Sequence, residues 1–567
     1  MKLNNLLSIC SLYCIYHVHA RDQPRAIPPR TSKLDRRSDE TSPPTLNIEV
    51  PIDHFSNDSE KFNTRYWVNA TYYKPGGPVI FIDPGENVVN QALIDMFLVE
   101  ATLNSSGMTL ARNLGGLALV IENRFYGESL PYPVDDETGL LTAGWGGYQY
   151  FTVDQSLEDL VYIAQNFQPP GLEAYWDILK PSASPWIYIG GSYPGIRAAF
   201  SRISHPEIWY AAWVSSAPVQ TQLRFEAYYD QLAEDMTKNC SLDIHAAVEY
   251  TDQILRSGTE EEIVQLKAAL TIANQPELLA KGIQENYNDA EIAALVANLT
   301  EVDTARLLLS VLPPNVQSTG FDEGMLPYCT GLESYDPAPS TRSPASIFEA
   351  INITVSNDLT GTISEGGVAA KFGQRAAFDA TVSMIYHISV DLEAFADTLG
   401  SVEGNPRAWE WQSCYELGYA QTANTSNPRN IASSFLNLTT WLNDCHTNFD
   451  FPELPETPDT ERLLKYGGWN MTPSNVMFTD GLKDPWHILS VQSTAAEYGA
   501  PNRRTTDQIP ACNKAPSGSD VFGILYPNGY HINDLSKALG AENTTADEGT
   551  ALFLKALDEW LPCFHSA

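Results

Sequence analysis

The chain is poor in basic residues. Its 567 residues include 34 lysines and arginines against 70 aspartates and glutamates, which gives a formal net charge of −36. Nucleic acids and anionic membranes attract basic surfaces, so this charge argues against both as partners. The charge suits a protein that works at low pH, where many carboxylates become neutral and repel one another less.

Long apolar runs are also scarce. The run from Leu6 to Tyr16 is too short to span a membrane. It follows Lys2 and precedes Val18-His19-Ala20, so residues 1–20 are predicted to be a signal peptide. Residues 21–45 are rich in Pro, Arg, Ser and Thr, and we interpret them as a disordered leader or a cleaved pro-segment. We therefore expect a secreted protein, either extracellular or in an acidic vacuole-like compartment.

The 8 cysteines include no C-x-x-C pair, which argues against a zinc site, and we expect no metal or other cofactor. Cys10 and Cys14 lie in the predicted signal peptide, and the even number that remains predicts disulfide bonds. Asn-X-Ser/Thr sequons from Asn57 to Asn543 predict N-linked glycans. Pairing the cysteines by proximity in sequence predicts Cys240–Cys329, Cys414–Cys445 and Cys512–Cys563.

The secondary-structure pattern of the sequence changes twice after the leader. Apolar strand patterns alternate with helical patterns over residues 46–220 and again over 466–567, which predicts a parallel sheet covered on both faces. Residues 221–465 read as mostly helical and interrupt the sheet. The expected architecture is therefore an α/β domain in two segments with a large inserted helical cap domain.

A candidate nucleophile lies in the first segment. Trp186–Ile189 reads as a buried strand, Gly190-Gly191-Ser192 as a sharp turn, and Ile196–Phe200 as the start of a helix. Strand, turn with a central Ser, and helix make up the nucleophile elbow of α/β-hydrolases, although Pro194 stands where G-x-S-x-G has its second Gly. The alternative is an ordinary Gly-Ser turn.

A serine nucleophile needs a base, and the base needs an orienting acid. In α/β-hydrolases these residues follow in the order Ser, acid, His, each after a strand. Here the strand ending at Thr479 leads to Asp480 and Asp484, and the strand over 521–526 leads to His531. Spacing alone leaves the acid undecided between Asp480 and Asp484, because both follow the same strand.

The oxyanion of an acyl-transfer reaction needs two N–H donors. In this fold one comes from the residue after the nucleophile, here Tyr193, and one from the turn after an early strand. That strand is 78–82, and the following turn makes Gly85 and Glu86 the candidates. A plain strand–helix turn is the alternative interpretation of this stretch.

Several stretches together resemble one serine peptidase family, that of lysosomal prolyl carboxypeptidase and dipeptidyl-peptidase II, and are most similar to its fungal acid prolyl endopeptidase branch. They run in family order and are Asp53-His54-Phe55, Arg65-Tyr66-Trp67, Glu122 to Ser129, Gly190-Gly191-Ser192-Tyr193, Ser215-Ser216-Ala217-Pro218, Trp411-Gln412-Ser413-Cys414, Asp484-Pro485-Trp486 and Gly529-Tyr530-His531.

The resemblance implies an α/β-hydrolase domain with a helical cap and cleavage on the carboxyl side of proline at acid pH. It selects Asp484 as the triad acid and His531 as the base. A proline ring before the scissile bond favours a flat aromatic pocket, for which Trp411, Trp486 and Tyr193 are the candidates. Both endo- and exopeptidase action are open.

The chain also departs from the family pattern. Asp480 stands where the family usually has Asn, and a second carboxylate there would repel Asp484. Asn123 replaces a usual His, and Pro194 replaces a usual small residue. The competing functions are an esterase or lipase, which would share the triad but need an apolar acyl groove, and a non-catalytic secreted glycoprotein that kept the fold.

Overall fold

The computed structural model describes residues 42–99, 105–312, 316–317, 325–337, 344–355, 359, 363–396, 405–535 and 544–564. The predicted signal peptide and nearly all of the predicted leader lie outside the described residues.

The described part of the chain contains a nine-stranded sheet in the order β1-β2-β4-β3-β5-β6-β9-β11-β10. The β1–β2 and β2–β4 pairs are antiparallel, and every other pair in the sheet is parallel. A separate parallel pair is formed by β7 and β8. The strands are β1 (Leu46–Pro51), β2 (Lys61–Asn69), β3 (Val79–Ile82), β4 (Leu117–Ile121), β5 (Trp186–Gly191), β6 (Trp209–Ser215), β7 (Gln222–Arg224), β8 (Gly418–Ala420), β9 (Val476–Gly481), β10 (Thr505–Thr506) and β11 (Val521–Tyr526).

The inner strands are buried on both faces, which is why they appear in the sequence as continuous apolar runs. All residues of β3, β4 and β6 are buried. One face packs against helix Val153–Gln165 and the helix after β5, and the other packs against the C-terminal helix through Phe553 and Trp560. The prediction of an α/β fold built on a parallel sheet is confirmed.

Helices flank the sheet and fill the insertion between β6 and β9. The first segment contributes Gln91–Leu98, Ser106–Leu114, Trp145–Tyr148, Val153–Gln165 and Tyr193–Ser204. The insertion contributes Ala227–Asp235, Lys238–Ser257, Glu260–Asn274, Pro276–Glu285, Asp289–Val296, Glu301–Leu309, Leu326–Glu333, Ile347–Val355, Val368–Phe372, Gln374–Ala396, Ala408–Gln412, Leu438–Asn448 and Glu461–Leu464. The C-terminal helix is Thr544–Trp560. None of the helices in the described residues is long and apolar enough to cross a bilayer.

Disulfide bonds join the cysteines as predicted. The structure pairs Cys240 with Cys329, Cys414 with Cys445, and Cys512 with Cys563. The first two bonds close loops inside the insertion, and the third ties the segment after β10 to the end of the C-terminal helix.

Two of the family-like stretches prove to be parts of buried ion pairs. The Glu122 carboxylate accepts hydrogen bonds from Arg65 at 2.6 and 2.9 Å and from the Ser129 hydroxyl at 2.7 Å. Arg124 donates to both oxygens of Asp159, at 2.6 and 2.7 Å. Because a buried charge without its partner is costly, these pairs lock β1, β2 and β4 to the helix packed beneath them.

Candidate active site

Ser192 occupies a strained turn at the end of β5. Its φ is +65° and its ψ is −130°, a conformation that non-glycine residues rarely adopt. The Ser192 N–H donates to the Ser215 carbonyl of β6 at 2.9 Å. A Cβ added at Gly190 would lie 2.2 Å from the Pro194 carbonyl oxygen, so the turn is too tight for any other residue there. This is the geometry of a nucleophile elbow.

The helix after the turn begins at Tyr193, earlier than the sequence pattern indicates. Pro194 therefore falls in the first turn, where the helix needs no N–H from it. Gly195 is the residue that must stay small, because a Cβ there would lie 2.8 Å from Ala217 Cβ. Proline in place of the second motif glycine is thus compatible with the elbow.

His531 and Asp484 form a buried pair. His531 Nδ1 hydrogen-bonds to Asp484 Oδ2 at 2.8 Å, and both side chains are at most 2% exposed. Asp484 Oδ1 accepts the Trp486 N–H at 2.8 Å, which fixes the carboxylate at the start of the 3-10 helix Pro485–Leu489. Of the two candidate acids, the one that contacts the imidazole is therefore Asp484.

Backbone and hydroxyl contacts hold the loop that carries His531. The His531 N–H donates to the Gln317 carbonyl of the insertion at 2.8 Å. The Ile532 N–H donates to the Ser216 hydroxyl at 2.9 Å, and the Ser215 hydroxyl donates to Asp534 at 2.6 Å. The end of β6 thus anchors this loop as well as the Ser192 turn.

Ser192 and His531 line one cavity. The wall consists of Ile82, Asp83, Glu86, Asn87, Met96, Phe97, Ser105, Gly107, Ile189, Gly190, Gly191, Ser192, Pro194, His531, Ile532 and Leu535. Within the described residues the Ser192 hydroxyl and the His531 ring share the cavity without a hydrogen bond between them. Such contacts are often long in unliganded enzymes and tighten when substrate binds.

The turn after β3 is anchored to the nucleophile helix by a buried ion pair. Arg197 donates to Asp83 Oδ1 at 2.9 Å, and Tyr188 donates to Asp83 Oδ2 at 2.5 Å. Burial alone would lower the pKa of Arg197, but the Asp83 carboxylate raises it above its usual value. Burial also raises the pKa of Asp83, and Arg197 opposes that rise. The Gly85 N–H donates to Asp83 at 2.9 Å. The other candidate N–H of this turn, that of Glu86, contacts the carboxyl group of its own side chain.

The Glu86 carboxyl group is buried in the cavity wall. It is 8% exposed, and its Oε2 has no hydrogen-bond partner in the described residues. Burial raises the pKa of Glu86 to about 8, and the nearby Asp83 carboxylate adds to the rise. The side chain is therefore a neutral acid over the whole acidic range.

The predicted aromatic pocket residues separate in space. The Trp486 ring centre is 6.4 Å from that of His531, and its Nε1 donates to Gln317 at 2.9 Å. Trp411 is fully buried, and its indole N–H donates to the Phe151 carbonyl inside an aromatic cluster. Tyr193 is also buried, with its hydroxyl held by Gln412 at 2.6 Å. Of the three side chains, Trp486 is the one beside His531.

Sequence reasoning did not identify Asp83, Arg197 and Gln317 as parts of the site. Asp83 follows a predicted strand directly, and that position was the available signal. Arg197 sits on the nucleophile helix in an otherwise apolar stretch, where a buried cation implies a buried partner. Gln317 carried no sequence signal, because its contacts to His531 and Trp486 come from a distant part of the insertion.

Comparison with known proteins adds independent information. A family model described as "Serine carboxypeptidase S28" matches residues 50–302 and 349–501, a range that includes Ser192 and Asp484 and ends before His531. The "Probable extracellular serine carboxypeptidase" of Arthroderma benhamiae is 28% identical over 526 residues, a match that covers 86% of this chain and 66% of that protein. This chain therefore spans slightly less than two thirds of that relative.

Two further relatives match more of their own length. The "Serine protease vicPb" of Bipolaris victoriae is 24% identical over 501 residues, covering 86% of this chain and 84% of that protein. The human "Thymus-specific serine protease" is 27% identical over 536 residues, covering 91% and 86%.

Gly85 tests the packing of the turn after β3. A Cβ there would lie 2.3 Å from Pro194 Cγ, and its φ is +61°. Gly76 is the matched control, since its φ is +88° but nothing lies within 4 Å of an added Cβ. Gly76→Ala should cost about 1–2 kcal/mol of unfolding free energy from left-handed strain alone. Gly85→Ala should cost about 1–3 kcal/mol more, because Pro194 must move.

Denaturant unfolding measures both costs. The rate at which a fluorophosphonate labels Ser192 shows whether the Ser192 turn keeps its geometry. Labelling should slow at least about tenfold in Gly85→Ala, the equivalent of about 1.4 kcal/mol in the barrier, and stay unchanged in Gly76→Ala. Equal effects of the two substitutions would contradict the packing argument.

Stability should fall as pH rises toward neutrality. Burial raises the pKa of Glu86 and of Glu416 from 4.5 to about 8. A raised carboxyl pKa means that the folded state holds its proton more tightly, so the stabilisation is complete below 4.5 and lost as pH rises to about 8. Each pH unit by which the folded-state pKa exceeds the unfolded-state pKa is worth at most about 1.4 kcal/mol of unfolding free energy. Unfolding free energies measured across this range should decline, and less steeply in Glu86→Gln; a flat profile would contradict the assignment.

Proposed function

The chain belongs to the serine carboxypeptidase S28 family, and we propose that it is a serine peptidase with a Ser192–His531–Asp484 triad. The observation that carries the proposal is the buried 2.8 Å hydrogen bond from Asp484 to His531, together with the cavity that both His531 and the strained Ser192 turn line. If His531 served only to pack the interior, a strained serine on the same cavity wall would have no explanation.

In the proposed reaction, His531 Nε2 takes the Ser192 proton as the hydroxyl attacks the substrate carbonyl. Asp484 holds the other ring nitrogen and stabilises the imidazolium that forms. His531 then gives the proton to the leaving amine, and an acyl-enzyme remains on Ser192. Water activated by His531 attacks the ester, and the carboxylate product leaves as the Ser192 hydroxyl is restored.

Two backbone N–H groups are proposed to hold the oxyanion, those of Tyr193 and Glu86. Tyr193 follows the nucleophile directly at the start of its helix. The Glu86 N–H is preferred to that of Gly85, because the Gly85 N–H donates to Asp83 within the turn, whereas the Glu86 N–H contacts the carboxyl group of its own side chain. Removing one donor from such a site typically slows the reaction by about 10²–10³.

Cleavage after proline is proposed from the aromatic surroundings of Trp486. Its ring centre lies 5.0 Å from that of Phe225, 5.4 Å from Tyr419 and 5.6 Å from Tyr228. The Trp486 ring centre lies 6.4 Å from that of His531, and a flat aromatic face there suits a proline ring, which presents little more than apolar methylenes. Trp411 is left out of this pocket because its side chain packs inside a separate aromatic cluster.

The insertion, residues 221–465, is proposed to act as a cap domain on the α/β domain of residues 46–220 and 466–567. Gln317 of the insertion contacts both His531 and Trp486, and Gln412 contacts Tyr193. These contacts support a cap that closes over the site and limits which peptides enter it.

Secretion and work at acid pH are proposed together. The three disulfide bonds of the described residues are typical of an oxidising compartment. The net charge of −36 and the buried Glu86 carboxyl group both favour low pH, because carboxyl groups are then protonated and do not repel one another. Peptides or proteins are the proposed substrates, and N-linked glycans the proposed surface modification.

The direct test is a digest of mixed peptides at acid pH, with products identified by mass spectrometry. We expect cleavage after proline, and the ends of the products will separate endo- from exopeptidase action. Ser192→Ala should abolish cleavage, and Asp484→Asn should lower kcat by about 10⁴. A short-chain ester provides the comparison: turnover of the ester in preference to the peptides, or full activity in Ser192→Ala, would overturn the proposal.

Trp486 tests the substrate preference separately from the chemistry. Trp486→Ala should lower kcat/KM for proline peptides by about 10–200-fold, the range expected for losing apolar contacts in a pocket. Fluorophosphonate labelling of Ser192 should change far less, because that probe carries no proline. Trp486→Phe keeps a flat ring while losing the Nε1 donor, and it should retain most of the preference. Equal losses with both readouts would show that Trp486 only supports the fold.

A further inference from the structure

Asp480 is a buried carboxyl group next to the proposed triad that the reaction itself does not use. It lies in β9, four residues before Asp484, and is 3% exposed. Its Oδ1 has no hydrogen-bond partner among the residues described. An unpartnered, buried polar atom beside a reacting centre requires an explanation.

The groups around Asp480 are mostly acidic. Asp484 lies in the loop after β9, and Asp534 in the loop after β11, and both carboxylates act on Asp480. The Ser490 side chain hydrogen-bonds to the carboxyl group. On the neighbouring strand β11, Leu525 lies opposite Asp480 in the register.

The basic side chains near Asp480 interact with other carboxyl groups. In the part of the chain that the structure describes, no Lys or Arg forms a salt bridge with Asp480 or Asp534, and the His531 ring pairs with Asp484. Lys483 acts on the carboxyl group of Asp235 in the insertion. Of the three buried carboxyl groups, Asp484 is the one paired with the His531 imidazole. The second imidazole of this region, that of the buried His487, hydrogen-bonds to the Asp484 backbone carbonyl at 2.7 Å.

This arrangement tolerates one negative charge but not two. Two like charges in a buried site repel strongly, since the interaction is only weakly screened there. Burial raises the pKa of Asp480 well above its usual range, and Asp484 raises it further. A neutral Asp480 has the shape of an asparagine, with one hydroxyl donor and one carbonyl acceptor.

We propose that Asp480 is a positioning residue that works as the neutral acid, keeping the Asp484 carboxylate aligned with His531 and restricting full activity to acid pH. The inference rests on the proposed triad. When Asp480 loses its proton, the second charge pushes the Asp484 carboxylate from the imidazole and competes with it for the positive charge formed during attack.

Asp480→Asn is the decisive substitution, because asparagine keeps the shape and cannot ionise. The measurement is the pH dependence of kcat/KM, together with the rate of fluorophosphonate labelling at Ser192, in the full disulfide-bonded chain. The variant should match the wild type at acid pH. The decline of its kcat/KM at alkaline pH should begin at a higher pH than in the wild type. Above the wild-type decline, the variant should be about tenfold more active for each pH unit of this shift.

Two results would overturn the inference. Superimposable pH profiles would show that Asp480 does not set the alkaline limb. Loss of activity in Asp480→Asn at acid pH as well would show that a negative charge at this position is required. If Asp480→Asn does not fold, Asp480→Ser provides a smaller neutral residue for the same comparison.

Glu416→Gln is the matched control, since Glu416 is a buried carboxyl group with a raised pKa outside the cavity wall. It should alter the pH dependence of unfolding while leaving the alkaline limb unchanged. A shift of stability alone in Asp480→Asn would make Asp480 a structural residue only. A wild-type protein that is never labelled at Ser192 would instead refute the triad, so the two failures are distinguishable.

Discussion

The end of strand β6 is the constraint on which the site depends. β6 lies between β5, which carries Ser192, and β9, which leads to Asp484. Its last residue, Ser215, accepts the Ser192 N–H, and Ser216 accepts the Ile532 N–H next to His531. Because parallel strands end at the same edge of a sheet, the loops start from one rim. The short contacts to the end of β6 then hold the Ser192 turn and the His531 loop in place.

The site is also unusual in how it places acidic groups. Glu86, Asp480 and Asp534 are all buried near the cavity, and burial raises the pKa of each. Asp484 differs from them because its two oxygens receive the imidazole and a backbone N–H. The environment thus gives the Asp484 carboxyl group two hydrogen-bond partners, whereas burial favours the neutral form of its neighbours.

The insertion contributes to the site and does not merely cover the sheet. The Gln317 carbonyl accepts the His531 N–H, and its side chain accepts hydrogen bonds from Trp486 and Tyr228. One residue therefore contacts His531, the proposed proline pocket and a helix of the insertion. Movement of this part of the chain would disturb base position and pocket shape together.

Much of the fold could be predicted from the sequence by itself. Buried parallel strands are continuous apolar runs, so β3, β4, β5 and β6 were recognisable, and the Gly190-Gly191-Ser192 turn followed from its flanking elements. Pairing the cysteines by proximity was also correct. The boundaries of the nucleophile helix were not recoverable, because Pro194 can lie either before a helix or inside its first turn.

What only the tertiary structure decided depends on contacts between distant parts of the chain. Asp480 lies near the end of β9 and Asp484 just after it, and the contact of Asp484 with His531 from another loop distinguishes them. Trp411 and Trp486 have the same side chain and differ only in their neighbours. Trp411 packs in an aromatic cluster, and Trp486 lies beside the His531 imidazole. Sequence patterns report periodicity and local turn chemistry. Hydrogen bonds and desolvation at the site depend on residues that are distant in the sequence and meet only in the folded protein.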